Sequence, residues 1–229
     1  MSLIPPLCIV GAAGQMGNSL LGRLLASAEP PSDSSVAHPM QLHAVDADYA
    51  RLVARWTPQD AGVQVHASTV TAIQAAEVVI LAIPYQAEQK LADEVREALA
   101  GRIVVSITNP LTPTLDDVLT QQHESAAECL AAMLPNSRVV KALNTISASA
   151  LLLPREASLS YDTFVASDDE AAAMTVENII RTLGYRPWYV GSLKLSRTLE
   201  RMTALLIGIS QKYALTGPLG WNVQGVQPD

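Results

Sequence analysis

The stretch from Leu7 to Gly17 places closely spaced glycines between an apolar run and a helical pattern of leucines. A strand that passes through a tight glycine turn into a helix aims backbone N–H groups and the positive end of a helix dipole at an anion. In proteins that anion is most often the pyrophosphate of a dinucleotide. We therefore predict a nicotinamide or flavin dinucleotide site, whose first candidate cofactor-binding residues are Gly11, Ala12, Ala13, Gly14, Gln15, Met16 and Gly17.

The glycine spacing departs from the strict G-x-G-x-x-G order. On the strict pattern Gly14 and Gly17 are the second and third glycines, and Ala12 stands where the first would be. Gly14 would let the backbone approach the pyrophosphate, and Gly17 would let the helix pack closely on its strand. The alternative interpretation is a plain strand–turn–helix unit without a ligand.

Polar and turn residues also follow the later apolar strands. Ile83 and Pro84 end the clearest buried strand, Asn109 follows the next one, and Asn144 and Thr145 follow a third. In an open parallel sheet, ligands bind beyond the carboxyl ends of the strands, so these residues predict one ligand groove. They are equally what ordinary strand-end loops contain. Asn144 could contact the nicotinamide half of the cofactor or bond only within its own loop.

Asp46, at the end of the second strand, is the sharpest single candidate. A carboxylate there can accept hydrogen bonds from both hydroxyls of the adenosine ribose and would repel the 2′-phosphate of NADP. Ala47 follows it, and the next basic residue is Arg51. This pattern favours NAD over NADP. The alternative role for Asp46 is the N-cap of the helix that follows.

Other chemistries lack support in the sequence. The histidines His38, His43, His66 and His123 show no metal-ligand spacing, and no C-x-x-C motif is present. There is no nucleophile elbow and no P-loop motif. Lys141, near the end of a strand, fits a strand-end cation better than a catalytic amine. We predict no metal site and no catalytic side chain.

The composition sets broader limits. The chain has 229 residues, of which 49% are hydrophobic and 16% charged, with a net charge of −7. The acidic balance argues against nucleic acid and against an anionic membrane surface. Cys8 and Cys129 are too few for a disulfide framework. No signal peptide or membrane-length apolar stretch is visible, so we expect a cytoplasmic protein that does not contact a membrane.

Strands alternate with helices along the chain, which predicts a doubly wound, Rossmann-like α/β fold with a parallel sheet and a small C-terminal α/β extension. We expect a loop insertion over residues 27–39, a helix over 116–133, and a capping box at Ser167 and Glu170. The last helix carries an apolar stripe that we expect to pack on protein. Its residues are Leu195, Leu199, Met202, Leu205, Leu206 and Ile209. The predicted domains are 1–147 for dinucleotide binding and 148–229 for the acceptor site and dimer contacts.

Taken together, several segments resemble the coenzyme F420-dependent NADP oxidoreductase family, which is related to the NADPH-binding domain of the STEAP metalloreductases. The segments run in the same order over nearly the whole chain. They are IVGAAGQMG at 9–17, VVILAIPYQ at 78–86, VVKALNTISA at 139–148, FVASDD at 164–169, and GSL at 191–193 with the helix after it.

The resemblance implies direct hydride transfer between a nicotinamide and a second redox ring, either coenzyme F420 or a flavin. Such a step needs aligned rings rather than a proton-transferring side chain. It also implies a homodimer with a small-molecule redox partner. By the resemblance, Ile83, Pro84 and Asn109 line the cofactor groove, and Ala142, Asn144 and Thr145 border the nicotinamide. The family usually has Ser-Arg after the second strand to hold the 2′-phosphate, whereas Asp46 and Ala47 stand there in this chain.

Two other functions fit the same residues. The chain could be a dinucleotide-binding regulatory module without turnover, since the proposed reaction needs no catalytic side chain whose presence would tell the two apart. It could also be a dehydrogenase of a small imine or hydroxy acid, which would require a polar substrate pocket near Asn144.

Overall fold

The computed structural model describes residues 4–28, 40–56, 62–120 and 124–225. Most of the predicted insertion at 27–39 lies outside these ranges, as do His38 and His123.

One sheet organises the described chain, with the strand order β3-β2-β1-β4-β5-β6-β7-β8. The first six strands run parallel, as the doubly wound prediction requires. Their continuous apolar sequences suit a sheet that is covered on both faces. The strands are β1 Leu7–Val10, β2 Leu42–Val45, β3 Val63–His66, β4 Val78–Leu81, β5 Ile103–Ser106, β6 Arg138–Lys141, β7 Asp162–Ser167 and β8 Arg186–Gly191.

The C-terminal extension joins this same sheet. Strand β7 pairs antiparallel with the end of β6, where Val140 faces Ser167 and Lys141 faces Ala166. Strand β8 then runs parallel to β7. The start of β7 therefore lies at the edge where the parallel strands end. The division of the chain at residue 147 remains a prediction.

Helices cover both faces of the sheet. Strand residues alternate between them, so that Leu7 and Ile9 join one core and Cys8 and Val10 the other. Helices α1, α2 and α8 cover the first face, and α3 to α6 cover the second. The helices are α1 Gln15–Ala28, α2 Tyr49–Arg55, α3 Thr69–Gln74, α4 Tyr85–Glu94, α5 Arg96–Leu99, α6 Ala126–Met133, α7 Arg155–Ser158, α8 Glu170–Thr182 and α9 Ser196–Lys212, with 3₁₀ turns at Ala150–Leu152 and Leu193–Leu195.

The helix predicted over 116–133 is wrong in its first part. Asp116 accepts hydrogen bonds from Thr112 and Thr114, at 2.9 and 2.6 Å, and Leu115 has a positive φ of 62°. Such local side-chain bonds compete with helix formation. The helix begins only at Ala126, after Ser125 caps it.

The capping box predicted at Ser167 and Glu170 is also wrong in detail. The N-cap of α8 is Asp169, whose side chain accepts a 2.8 Å bond from the Ala172 N–H. Ser167 belongs to β7, where its hydroxyl donates to Val139 O and accepts from Asp169 N–H. The serine is therefore committed to the sheet and leaves the cap to the aspartate.

Helix α9 buries only part of its predicted apolar stripe on its own chain. Of the predicted stripe, Leu199 is buried, whereas Leu195 and Leu205 are 39% and 56% exposed. The buried face instead carries Ser196, Leu199, Glu200 and Ala204. Glu200 on this face has a buried ion-pair partner, Lys141, which is described below.

Candidate dinucleotide site

The glycine turn is built around Gly11. Its φ of +84° is a conformation that only glycine adopts at low cost. The N–H groups of Gly11 and Ala12 donate to Val45 O at 2.9 and 3.2 Å, and the Gly14 N–H donates to Gly11 O at 3.0 Å. The residue that makes the sharp turn is therefore Gly11, one position before the Ala12 that the strict pattern indicated.

Gly17 sets how closely α1 can approach the turn. A Cβ atom added at Gly17 would lie 2.2 Å from Gly11 O, and one added at Gly11 would lie 2.4 Å from Ala82 O. The close helix–strand packing predicted for Gly17 is thus present. At Gly14, where close approach to the pyrophosphate was predicted, an added Cβ would lie 3.1 Å from Gly11 O.

The first turn of α1 supplies the donors for an anion. The N–H groups of Gln15, Met16 and Gly17 have no acceptor within the helix, as at any helix N-terminus. The side chains of Ala12 and Ala13 are buried in the core, so these two residues offer only backbone atoms. The residues present therefore fit a pyrophosphate at the end of β1.

Asp46 is tied to the glycine turn. Its Oδ2 accepts a 2.9 Å bond from the Ala13 N–H, and its Oδ1 accepts a 2.9 Å bond from the Asp48 N–H. The N-cap of α2 is Asp48, which accepts from Arg51 N–H at 3.0 Å, so the alternative capping role does not belong to Asp46. An ionised carboxylate has about four acceptor positions, which leaves about two for a ribose. Ala47 beside it is exposed.

The end of β4 lies against the glycine turn. A Cβ added at Gly11 would come within 2.7 Å of Ile83 Cγ2, which places Ile83 beside the turn. Thr108 Oγ1 lies 3.0 Å from Ile83 O, which brings the ends of β4 and β5 together. Pro84 is exposed and directly precedes α4.

The ends of β5 and β6 are joined by a pair of asparagines. Asn109 Nδ2 donates to Asn144 O at 3.0 Å, and Asn144 Nδ2 donates to Asn109 Oδ1 at 2.9 Å. Asn144 Nδ2 also donates to Leu199 O at 2.9 Å on α9. Asn144 is thus bonded beyond its own loop. Its side-chain Oδ1 is the atom that could still contact a ligand.

Two buried polar atoms lack partners at this point among the described residues, namely Asn144 Oδ1 and Thr145 Oγ1. Leu143 before them has a φ of +57°, which is strained for a residue with a branched side chain. Strain and orphaned buried polar groups concentrate where ligands bind. The residues present therefore fit the polar end of a ligand.

The structure brings the predicted residues together in two groups at one edge of the sheet. The first group joins the glycine turn, Asp46 and Ile83, and the second joins Asn109 and Asn144. The side chain of Ala142 is fully buried in the core, so it does not face the edge. The assignment of these residues to a cofactor remains a prediction.

A buried polar cluster that the sequence pattern did not predict lies below the asparagine pair. Lys141 is fully buried, and its Nζ lies 2.9 Å from Glu200 Oε1. It is thus an internal ion-pair partner. Glu88 is 1% exposed and accepts a 2.6 Å bond from Thr108 Oγ1. One glutamate lies on the buried face of each of two helices, Glu88 on α4 and Glu200 on α9. A glutamate at such a position was the signal that could have predicted the cluster.

The C-terminal segment was also missed. Leu219 O accepts a 2.9 Å bond from Ser147 N–H, and Trp221 O accepts a 2.8 Å bond from Asp162 N–H. Asp162 also pairs with Arg186 and accepts from the Val223 N–H. The segment that contains Leu219, Trp221 and Val223 therefore packs on its own chain, beside the loop that follows Thr145.

Other features of the described residues do not belong to this site. A cavity of about 270 Å³ is lined by Val78, Ile103 and Arg138 at the amino ends of their strands, opposite the edge described above. Within these ranges no group of three metal-ligating side chains comes together. Burial raises the pKa of the Cys8 thiol to about 12, as expected for an inert packing group. No helix in the described ranges has the length and apolarity to cross a membrane.

Comparison with known proteins agrees with the resemblance. Residues 6–110 match the family described as NADP oxidoreductase, coenzyme F420-dependent. The chain is 34% identical over 146 residues to an F420-dependent NADP reductase of Methanocaldococcus jannaschii and 33% identical over 153 residues to that of Methanothermobacter marburgensis. These alignments cover 62% and 64% of this chain and 65% and 68% of the reductases. The chain thus spans about two thirds of the curated relatives' length.

A third relative is the metalloreductase STEAP3 of Rattus norvegicus, 34% identical over 140 residues that cover 59% of this chain and 27% of that protein. A crystal structure from Arthrobacter sp. FB24, named as a candidate F420-dependent NADP reductase, superimposes with a TM-score of 0.78 at 22% identity. The superposition covers 96% of this chain and 100% of the Arthrobacter chain, and it confirms the fold. The relatives are consistent with an NAD(P)-dependent oxidoreductase, and the chain belongs to the coenzyme F420-dependent NADP oxidoreductase family.

Proposed function

We propose that the protein transfers a hydride directly between a bound nicotinamide dinucleotide and a flavin or deazaflavin partner such as coenzyme F420. The observation that carries the proposal is the glycine turn, which opens α1 at the same sheet edge as the orphaned Asn144 Oδ1. Donors suited to a pyrophosphate and an acceptor suited to a carboxamide thus stand at the two ends of one row of strand ends.

The chain's own part in this reaction is binding and orientation. The N–H groups at the start of α1 would hold the pyrophosphate, and Ile83 would support the nucleotide beside the turn. Asn144 would orient the nicotinamide through its free oxygen. A bound reduced dinucleotide would supply a hydride to the partner ring, and water would supply the proton that completes the reduction of that ring. The side chains described here would therefore bind and orient the two rings without gaining or losing a proton.

Stopped-flow mixing tests this function. Protein loaded with NADPH or NADH is mixed with F420, FMN or FAD, and dinucleotide oxidation is followed by absorbance. We expect oxidation by at least one acceptor. Binding without oxidation by any of them would indicate the regulatory module instead. Oxidation only by a small imine, or oxidation of the cofactor by a keto acid, would indicate the dehydrogenase of small substrates.

We further propose that Asp46 shifts the cofactor preference towards NADH. The support is the Asp46 carboxylate, which two N–H groups hold beside the turn. In addition, no basic residue stands between Asp46 and Arg51. The family itself is NADP-dependent by description. A fixed negative charge at this place would oppose a 2′-phosphate, and the penalty at a protein surface is large enough to decide the preference.

Substitution of Asp46 by Asn tests this preference. It removes the charge and keeps the shape, so we expect the ratio of NADPH to NADH affinity to rise roughly tenfold or more. Asp48→Asn is the matched control, since Asp48 is exposed and caps α2. Fluorescence titration gives both affinities. A wild-type protein that already prefers NADPH strongly, or an unchanged ratio in Asp46→Asn, would contradict the role of Asp46.

We also propose that the protein is a cytoplasmic homodimer. Its dimer contacts and its acceptor site would lie in residues 148–229. The support is the exposed apolar surface at the end of α9 and beyond it, where Leu205, Tyr213 and Leu215 are 56%, 65% and 47% exposed. Sedimentation of the wild type and of Leu205→Lys tests the dimer. A monomeric wild type would contradict it.

A further inference from the structure

Three ionisable side chains lie buried directly beneath the asparagine pair. Lys141 ends β6, Glu200 lies on α9 and Glu88 on α4, and their exposed fractions are 0%, 0% and 1%. Lys141 Nζ lies 2.9 Å from Glu200 Oε1 and also donates a hydrogen bond to Thr108 O. One ammonium group thus connects the loop after β5 to helix α9.

Each carboxylate is held by further donors. Glu200 Oε2 accepts a 3.0 Å bond from the Ala126 N–H at the start of α6, where the helix dipole favours negative charge. Glu88 accepts from the hydroxyls of Thr108 and Ser106. Burial raises the pKa of Glu88, while Lys141 and the hydroxyls lower it in part. The cluster therefore ties together α4, α6, α9 and the ends of two strands.

This cluster holds both sides of the asparagine pair. Thr108, which Lys141 contacts, directly precedes Asn109. Leu199, whose carbonyl accepts from Asn144 Nδ2, directly precedes Glu200. The two Asn144 Nδ2 bonds at 2.9 Å turn its Oδ1 away from both acceptors and leave it unpaired among the described residues.

Stability alone does not account for such a cluster. Removing two charges from water costs free energy that their attraction often fails to return, and apolar side chains of similar size are frequently as stable. What an ion pair with further hydrogen bonds supplies is a defined direction for each group it holds. The groups held here are the backbone segments that carry Asn109 and Asn144.

We propose that Lys141 and Glu200 are positioning residues, which hold the Asn109–Asn144 pair so that Asn144 Oδ1 accepts a hydrogen bond from the bound dinucleotide. This rests on the proposed function. The two residues do not touch the cofactor, and they act through Thr108 and Leu199. Their loss should therefore weaken dinucleotide binding even in a protein that folds normally.

A double variant separates positioning from folding. Lys141→Met and Glu200→Leu, made together, remove both charges and leave apolar side chains of similar size, so we expect a folded protein. We expect it to bind NADPH roughly 10-fold more weakly, as for the loss of one hydrogen bond to the ligand. If the double variant does not fold, the single variant Glu200→Gln, which keeps the shape of the side chain, is used in the same experiment.

The matched control breaks a second ion pair that also involves helix α9. Arg197 on α9 bonds Glu128 on α6 through two contacts of 2.7 Å, and neither side chain reaches the strand ends. We expect Glu128→Gln to leave NADPH affinity unchanged. A loss of stability that follows from breaking any ion pair should appear in both the double variant and Glu128→Gln. Only the double variant should also bind NADPH more weakly.

A second readout needs no cofactor. The side-chain amide NMR signals of Asn109 and Asn144 report their hydrogen bonds in the free protein. We expect these signals to shift in the double variant and to stay in place in Glu128→Gln. Unchanged signals, or shifted signals with unchanged NADPH affinity, would overturn the proposal. A wild type that binds neither dinucleotide would defeat the proposed function, and the amide signals would then decide alone whether the two residues position the pair.

Discussion

At the scale of single residues, Gly11 and Gly17 show how the turn depends on missing side chains. Gly11 takes a backbone conformation that other residues avoid, and Gly17 lies against its carbonyl oxygen. The glycine spacing predicted the turn, and it misplaced the residue that bends it by one position. Positive φ is a property of the folded turn, which the pattern of glycines cannot assign to one of them.

Gly17→Ala should destabilise the protein. The new Cβ would lie 2.2 Å from Gly11 O, so the helix must shift away from the turn. We expect a loss of about 1–3 kcal/mol in the free energy of unfolding, with weaker dinucleotide binding. Urea denaturation and fluorescence titration measure the two effects.

Gly208→Ala is the control for that substitution. Gly208 is also helical, and an added Cβ there would meet nothing within 4 Å. We expect a gain of about 0.5–1 kcal/mol from the lower helix propensity of glycine. A Gly17→Ala protein as stable as Gly208→Ala would show that the turn tolerates the displaced helix.

A histidine pair makes stability depend on pH. His43 Nδ1 lies 3.0 Å from His66 Nε2, and burial lowers the pKa of both rings, with the charge of His66 lowering that of His43 further. Near the ordinary pKa of 6.5 the unfolded chain therefore binds more protons than the folded one. The stabilisation by this pair is complete above that pKa and is lost as the pH falls below it.

Urea denaturation at about pH 7.5 and about pH 5.5 measures this effect across the ordinary histidine pKa. We expect a lower free energy of unfolding at the acidic pH. His66→Gln removes one titrating ring and should reduce the difference between the two values. An equal pH dependence in wild type and variant would assign the effect to other groups.

At the scale of elements, the apolar runs predicted the strands, and local hydrogen bonds decided where several helices begin. The threonines and Asp116 keep 116–120 out of the helix predicted there. The buried face of α9 carries Ser196 and Glu200 beside Leu199, so its leucine stripe is only partly covered on this chain. In both places the structure contains side-chain bonds that hydrophobic periodicity does not register.

The cap of α8 gives a test at this scale. Asp169→Ala removes a 2.8 Å bond to the Ala172 N–H at the start of a 13-residue helix. We expect a loss of about 1 kcal/mol in the free energy of unfolding. Ser68→Ala, at the 3.4 Å cap bond of α3, is the control and should cost less. An equal or larger loss at Ser68 would contradict this ranking of the caps.

At the scale of the whole molecule, bonds across residue 147 join the two predicted domains. Strand β7 pairs with β6, Lys141 pairs with Glu200, and Arg23 Nε donates to Leu183 O at 2.7 Å. The C-terminal segment then returns to Ser147. These contacts place residues 148–225 within the same sheet and the same set of buried bonds as the earlier strands.

We therefore expect the whole chain to unfold in one transition. Differential scanning calorimetry should give a calorimetric enthalpy equal to the van't Hoff enthalpy, as for a single cooperative unit. Two resolved transitions would show that the predicted domains fold separately. Repeating the scan on the Glu128→Gln variant shows whether the α6–α9 contact contributes to the cooperativity.

The sequence by itself determined the parallel sheet, the glycine turn and the row of polar residues at the strand ends. These follow from local rules, because apolar runs make buried strands and a glycine-rich turn precedes a helix. The family resemblance followed from the same segments. Asp46 was singled out by its place after the second strand, and the structure ties it to the Ala13 N–H.

Only the tertiary structure decided how these residues are held. Asn109 and Asn144 meet because β5 and β6 are neighbours, and Lys141 meets Glu200 across 59 residues of chain because α9 packs beneath the same strand ends. Partners so distant in sequence are chosen by packing of the whole sheet and its helices. For that physical reason the buried ion pair, the polar residues on the buried face of α9 and the returning C-terminal segment could not be predicted from local pattern.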